Sequence, residues 1–403
     1  MGEPKLRFKA DDGSDFPDWE EKTLRELCAP LTYGMNAAAT KFDGENRYIR
    51  ITDIDDETHA LLPNDIVSPS GELDDKYLVK KGDILLARTG ASTGKSFLYH
   101  PKDGKLFYAG FLIKAHVLPS SDDYFIYSQT LTDRYWKWVK TASMRSGQPG
   151  INANEYASYS FAVPSLPEQR KIADFLSAVD AVIAAQQAEV DAWEQRKKGV
   201  MQKLFSQEVR FKADDGSEFP AWEEKTLGEV CFINPRTDAL EDEFYYMDLG
   251  CVDRGMWEKP EVVSKKNAPN RAQRVAQIGD VFFQSVRPYN MGHYHYTNKM
   301  DKQVVASTGY IQTRMKNGCN AFLYQMFYEE RFNVEVSMRC AGSNYPAITA
   351  NKFSEIVAPF PSLPEQRKIA DCLSSMDEVI QKSKDELAKW QELKKGLLQQ
   401  MFV

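Results

Sequence analysis

The chain has 403 residues, 42% of them apolar and 27% charged, with a formal net charge of −7. At about 150 residues per domain, that length implies two or three domains, each able to bury a core. The composition excludes a disordered chain, and the acidic balance excludes a globally basic nucleic-acid binder while leaving locally basic surfaces open.

No apolar run approaches the roughly 18 residues of a membrane span, and residues 1–5 open no apolar leader. The cysteines are scattered without a C-x-x-C pair, so the sequence reads as a cytoplasmic protein with reduced thiols.

In chain order, the first element is a head over 1–27 containing RFKADDGSDFPDWEEKTL (7–24), and it returns as a second head over 210–230. Sixteen of those eighteen positions recur at 210–227, at an offset of 203. A first body follows over 28–164 and a second over 231–361, and these two diverge. Each body closes on SLPEQRKIAD, at 165–174 and 362–371, now at an offset of 197. Constant frames around divergent inserts suggest one task performed on two different targets.

Both bodies read as mixed α/β. Gly82-Asp83-Ile84 and Gly279-Asp280-Val281 predict turns into buried strands, and aromatic-rich helices are predicted over 124–139 and 321–336. Residues 53–75 carry eight acids and no Lys or Arg, whereas 76–150 and 259–316 each carry a net +7. Such basic blocks suit phosphate contact.

Two polar loops in each body suit base-edge reading, because Arg pairs with guanine and Asn or Gln with adenine in the major groove. In the first body the candidates are Arg88, Thr89, Ser92 and Lys95, then Arg145, Ser146, Gln148 and Asn152. In the second they are Arg287, Tyr289 and Asn290, then Arg339, Ser343 and Asn344.

The tails, 165–209 and 362–403, predict long helices. In the first, apolar residues alternate at spacings of four and three through Ile172, Leu176, Val179, Ile183, Val190, Trp193, Val200 and Leu204. The second gives Ile369, Leu373, Met376, Ile380, Leu387, Trp390, Leu397 and Met401. This is a coiled-coil seam, broken by Gln186, Lys197, Ser383 and Lys394, which can fix register. Two such helices related by a two-fold axis run antiparallel. That arrangement places the first head beside the end of the second tail.

Catalytic signatures are missing. Gly94-Lys95-Ser96 ends like a phosphate-binding loop, but Thr89 stands where its first glycine belongs. There is no G-x-G turn, and His293 and His295 alternate as strand residues without a metal-ligand pattern.

Head, variable body and SLPEQRKIAD helix, written twice, resemble the specificity subunits of type I restriction–modification enzymes. The resemblance rests on Leu6-Arg7-Phe8 with Trp19-Glu20, Gly82-Asp83-Ile84-Leu85, Gly147-Gln148-Pro149-Gly150-Ile151-Asn152 and the two LPEQR runs. It implies an α+β fold in which two mixed α/β target recognition domains are separated by two long helices in an antiparallel coiled coil, a pseudo-two-fold repeat.

It implies a non-catalytic subunit that binds a bipartite, asymmetric double-stranded DNA target and docks two modification subunits and the restriction subunits. S-adenosylmethionine, ATP and Mg²⁺ would then sit on those partners, with no cofactor or metal on this chain. The competing readings are a protein–protein adaptor holding two clients, and an enzyme built on Ser92–Ser96 or on a cryptic nuclease site.

Overall fold

The computed structural model describes residues 4–144, 147–257 and 259–402. The chain forms two compact units. Unit 1 comprises 1–187 with 385–403, and unit 2 comprises 188–384. Among the described residues no helix is long and apolar enough to cross a membrane.

In unit 1 the head strand Glu20–Thr23 pairs antiparallel with Ser160–Val163. The body's main sheet is antiparallel, in the order Thr32–Tyr33, Leu112–His116, Asp83–Ala87, Ser96–Leu98. Every residue of Asp83–Ala87 is buried, as its apolar run predicts. Gly82 enters that strand at φ +89, and the buried Asp83 carboxylate accepts the Lys80 N–H at 2.7 Å, closing the turn.

Unit 2 repeats the plan. Its head strand Glu223–Thr226 pairs with Val357–Phe360, and its main sheet runs Cys231–Ile233, Tyr310–Met315, Val281–Gln284, Tyr294–His295. Gly279 (φ +94) and Asp280 form the same turn, with the Gln277 N–H donated to Asp280 at 2.7 Å. A second four-stranded sheet contains one parallel pair, Glu243–Met247 with Gln303–Ser307.

The predicted helix over 124–139 is two helices, Asp123–Gln129 and Asp133–Ala142. The break is set by Thr132, whose hydroxyl caps the second helix by accepting the Tyr135 N–H at 3.2 Å. The helix predicted over 321–336 divides likewise into Asn320–Met326 and Glu330–Arg339, with the Glu329 carboxylate accepting the Phe332 N–H at 2.8 Å. Periodicity alone carried the pattern through both caps.

The long helices are Leu166–Phe205 and Leu363–Met401. Each begins in one unit and ends in the other, and inside each unit the two run antiparallel. In unit 1, Ile172 and Leu176 share a core with Leu398, Met401 and Phe402, while Asp180 pairs with Lys394 at 2.6 Å. In unit 2, Ile369 and Leu373 share a core with Met201, Leu204 and Phe205, while Asp377 pairs with Lys197 at 2.6 Å.

Both seam lysines are thus half of an ion pair at equivalent repeat positions. Within unit 1 the Leu6 N–H donates to the Gln400 carbonyl at 3.0 Å, so the first head lies beside the end of the second long helix.

Along the seam Ile172, Leu176, Val179, Val190, Leu204, Ile369, Leu373, Ile380, Leu387 and Met401 are buried. Ile183, Trp193, Val200, Met376, Trp390 and Leu397 are half-buried. Near the helix ends the buried residues include Met201 and Leu398, one position past the seam. There the helix packs on a body core as well as on its partner, and its 3.6-residue turn drifts off the 3.5 repeat.

Candidate nucleic-acid interface and its supporting joint

The constant LPEQRK segment is a mechanical joint. Its glutamates, Glu168 and Glu365, are fully buried. In unit 1 the Arg7 guanidinium forks onto Glu168 at 3.0 and 2.9 Å. In unit 2 Arg210 does the same to Glu365 at 3.0 and 2.7 Å, and the Trp222 indole N–H adds a third donor at 3.1 Å. The glutamines tie the body. Gln169 accepts the Asp122 N–H at 2.9 Å and donates to the Pro164 carbonyl, and Gln366 accepts the Cys319 N–H at 3.0 Å and donates to the Pro361 carbonyl. Lys171 and Lys368 return to head carbonyls at Lys9 and Lys212. Head, helix and body are therefore fixed together by one short stretch, which accounts for its being written twice.

The two candidate loops of each body lie side by side. In unit 1 the Ile151 N–H donates to the Arg88 carbonyl at 2.9 Å, the Gly90 N–H donates to the Pro149 carbonyl at 3.0 Å, and Thr89 bridges to Gly150. In unit 2 the Ile348 N–H donates to the Ser285 carbonyl at 3.0 Å and the Arg287 N–H to the Pro346 carbonyl at 2.7 Å. These are the same bonds at an offset of 197. The structural counterpart of Arg287 is therefore Gly90, and that of Arg88 is Ser285.

In unit 1, Arg88 donates from Nε to the Gly110 carbonyl at 3.0 Å and lies over the Tyr33 ring at 5.1 Å. The Tyr33 hydroxyl accepts the Ala153 N–H at 3.1 Å, beside the exposed Asn152. Asn152 also caps the helix Ala153–Ala157, accepting the Glu155 N–H at 3.0 Å. Gln148 is exposed and Ser92 half-buried. Arg145 and Ser146 lie outside the described residues.

Lys95 departs from its expected place. It is only 5% exposed, and its ammonium donates to the Ile54 carbonyl at 2.8 Å and pairs with Asp56. Its charge is used inside the body. Tyr33 and Phe111, both exposed beside Arg88, escaped sequence reasoning because isolated aromatics carry no positional signal.

In unit 2, Tyr289 and Tyr345 are 62% and 65% exposed, and Asn290, Ser343 and Asn344 are exposed around them. The Arg287 guanidinium stacks on Tyr345 at 4.2 Å, a contact worth about 0.5–1 kcal/mol at a surface. Arg287 is left-handed at φ +50, which costs a residue with a side chain roughly 1–2 kcal/mol. Arg339 turns back on its own helix, donating to the Glu335 carbonyl at 3.0 Å and to its carboxylate.

Burial pushes the Cys28 and Cys231 thiols up to about 12. His293 is enclosed by Phe283, Phe327 and Tyr328, its Nδ1 accepts the Gln284 N–H at 3.1 Å, and burial holds its pKa near 3. Among the described residues no group of His, Cys, Asp and Glu is arranged to hold a metal.

The family model for the type I restriction modification DNA specificity domain matches residues 17–192 and again 221–389. The chain is 25% identical over 339 residues to the type I restriction enzyme MjaVIII specificity subunit of Methanocaldococcus jannaschii, covering 80% of this chain and 79% of that protein. In fold it is similar to the S subunit of a type I restriction–modification system from M. genitalium, with a TM-score of 0.61 at 18% identity, covering 100% of this chain and 99% of that one. A second chain, from a structure of type I restriction–modification complex assembly, gives a TM-score of 0.52 at 19% identity, covering 95% of this chain and 97% of that one. The twofold match of the family model spans both bodies and most of both long helices, and the chain belongs to the type I restriction–modification specificity subunits, which are non-catalytic.

Proposed function

We propose that each body reads one half of a split, asymmetric double-stranded DNA target through its paired loops. The observation that carries this reading is the loop pair built on identical backbone hydrogen bonds at an offset of 197, with different side chains in the two bodies. A common frame with altered reading groups is what two unlike half-sites require.

Arg88, Thr89, Ser92, Gln148 and Asn152 serve the first half-site, together with Arg145 and Ser146. Arg287, Tyr289, Asn290, Ser343 and Asn344 serve the second, and Arg339 supports them at the helix end. Each well-placed bidentate pair contributes about 1–3 kcal/mol of base discrimination.

The long helices set the number of base pairs between half-sites. The heads and LPEQR joints dock two modification subunits, and the exposed arginines at identical repeat positions, Arg170 and Arg367, belong to that docking surface. Restriction subunits complete the assembly, which acts in the cytoplasm. S-adenosylmethionine, ATP and Mg²⁺ reside on those partners, and this chain supplies the address.

The test is to purify the chain with its modification subunit and map methylated adenines across a genome. A bipartite asymmetric motif that disappears when this chain is deleted is the expected result. An assembled complex that methylates without a motif, or binds no DNA, would overturn the reading.

A further inference from the structure

We infer that Arg287 fixes a guanine in the second half-site, and that the loop holds it in strained backbone for that purpose. The inference rests on the DNA reading above and deepens it to one residue and one base.

Position 287 in unit 2 and position 90 in unit 1 are the same place in the loop frame, and both are left-handed, at φ +50 and φ +73. Unit 1 fills that place with glycine, for which a left-handed conformation carries no steric penalty. Unit 2 fills it with arginine, for which it does.

The Tyr345 contact, at about 0.5–1 kcal/mol, offsets only part of that cost. Among the described residues the Arg287 Nε is buried without a hydrogen-bond partner. The guanidinium lies over the Tyr345 ring, itself largely exposed. Strain of this kind persists where function requires it.

A planar fork, placed over an aromatic ring at an exposed loop, matches the O6 and N7 acceptors of guanine in the major groove. Gly90 presents no side chain at that position, so the first body cannot read a base from it. One loop frame thus gives two different specificities.

The experiment uses the complex with the modification subunit, as wild type and as Arg287→Gly. The probes are duplexes carrying the wild-type methylation motif, and the same duplexes with each G·C pair replaced in turn. Wild type should lose about ten- to hundredfold in affinity when one particular G·C pair of one half-site is replaced. Arg287→Gly should bind the intact motif more weakly by a similar factor, no longer distinguish that pair, and keep every position of the other half-site. Its thermal midpoint should be unchanged or higher, because glycine relieves the strain. Arg287→Lys, which keeps the charge without the fork, should not restore discrimination.

Discrimination retained at every G·C pair, with affinity uniformly reduced, would make Arg287 a phosphate contact and overturn the inference. A lowered thermal midpoint with the motif intact would make it structural and overturn it equally. A wild-type complex that yields no motif refutes the DNA reading itself, and this inference with it.

Discussion

Arg210→Ala offers a direct measure of the joint that holds head to helix in unit 2. It removes two of the three donors to Glu365, at 3.0 and 2.7 Å, leaving a fully buried carboxylate with only the Trp222 N–H. Breaking a buried pair by deleting one partner costs about 3–5 kcal/mol. At about 1.4 kcal/mol per decade, that is a two- to three-decade rise or more in local opening.

Amide hydrogen exchange read on peptides covering 223–230 and 363–373 should show it. Arg210→Ala with Glu365→Gln removes the stranded charge and should recover part of the protection. The equivalent Arg7→Ala should be more damaging, because the Trp19 indole N–H makes no hydrogen bond where Trp222 makes one to Glu365. Exchange unchanged within tenfold in Arg210→Ala, or no recovery in the double variant, would refute the claim that the buried pair fastens the head.

Three further outcomes follow from the same geometry. Phe402→Ala removes a buried ring 5.4 Å from Phe125 and should cost unit 1 about 3–5 kcal/mol. Exchange should accelerate in 83–87 and not in 281–284. Lys95→Met strands the Ile54 carbonyl and should destabilise unit 1 by about 1–3 kcal/mol while leaving the methylation motif intact; a changed first half-site would return Lys95 to the recognition surface.

Burial holds His293 near 3 and His295 near 4, so both stay neutral in the fold where an unfolded histidine takes up a proton near 6.5. Their contribution is complete above that value and is lost as pH falls. The slope is up to about 1.4 kcal/mol per pH unit for each. The urea midpoint of unit 2 should therefore drop between pH 7 and pH 5, less steeply in His295→Phe. Equal midpoints at the two pH values would contradict the burial argument.

The architecture was legible because duplication writes its frame twice, and a five-heptad seam with Lys197 and Lys394 at matched positions leaves few alternatives to an antiparallel pair. The candidate loops were legible as polar runs. That they pair, and which residues correspond, was not. The hydrogen bonds match Gly90, and not Arg88, to Arg287, because register is set by backbone pairing and not by side-chain type.

Lys95 was misplaced because its acceptor, the Ile54 carbonyl, comes from 41 residues away and leaves no local trace. The breaks at Thr132 and Glu329 were available as capping residues, but the aromatic periodicity on either side masked them.

Unit 1 takes Leu398, Met401 and Phe402 into its core, whereas unit 2 is one uninterrupted stretch, 188–384. On a ribosome adding about 5–20 residues per second, unit 2 can close as soon as it emerges. The N-terminal body waits, with part of its core uncovered, for residues 385–403. Birth order and folding order are thereby inverted. Loss of Leu398, Met401 and Phe402 would leave the earliest-made domain, and not the later one, defective.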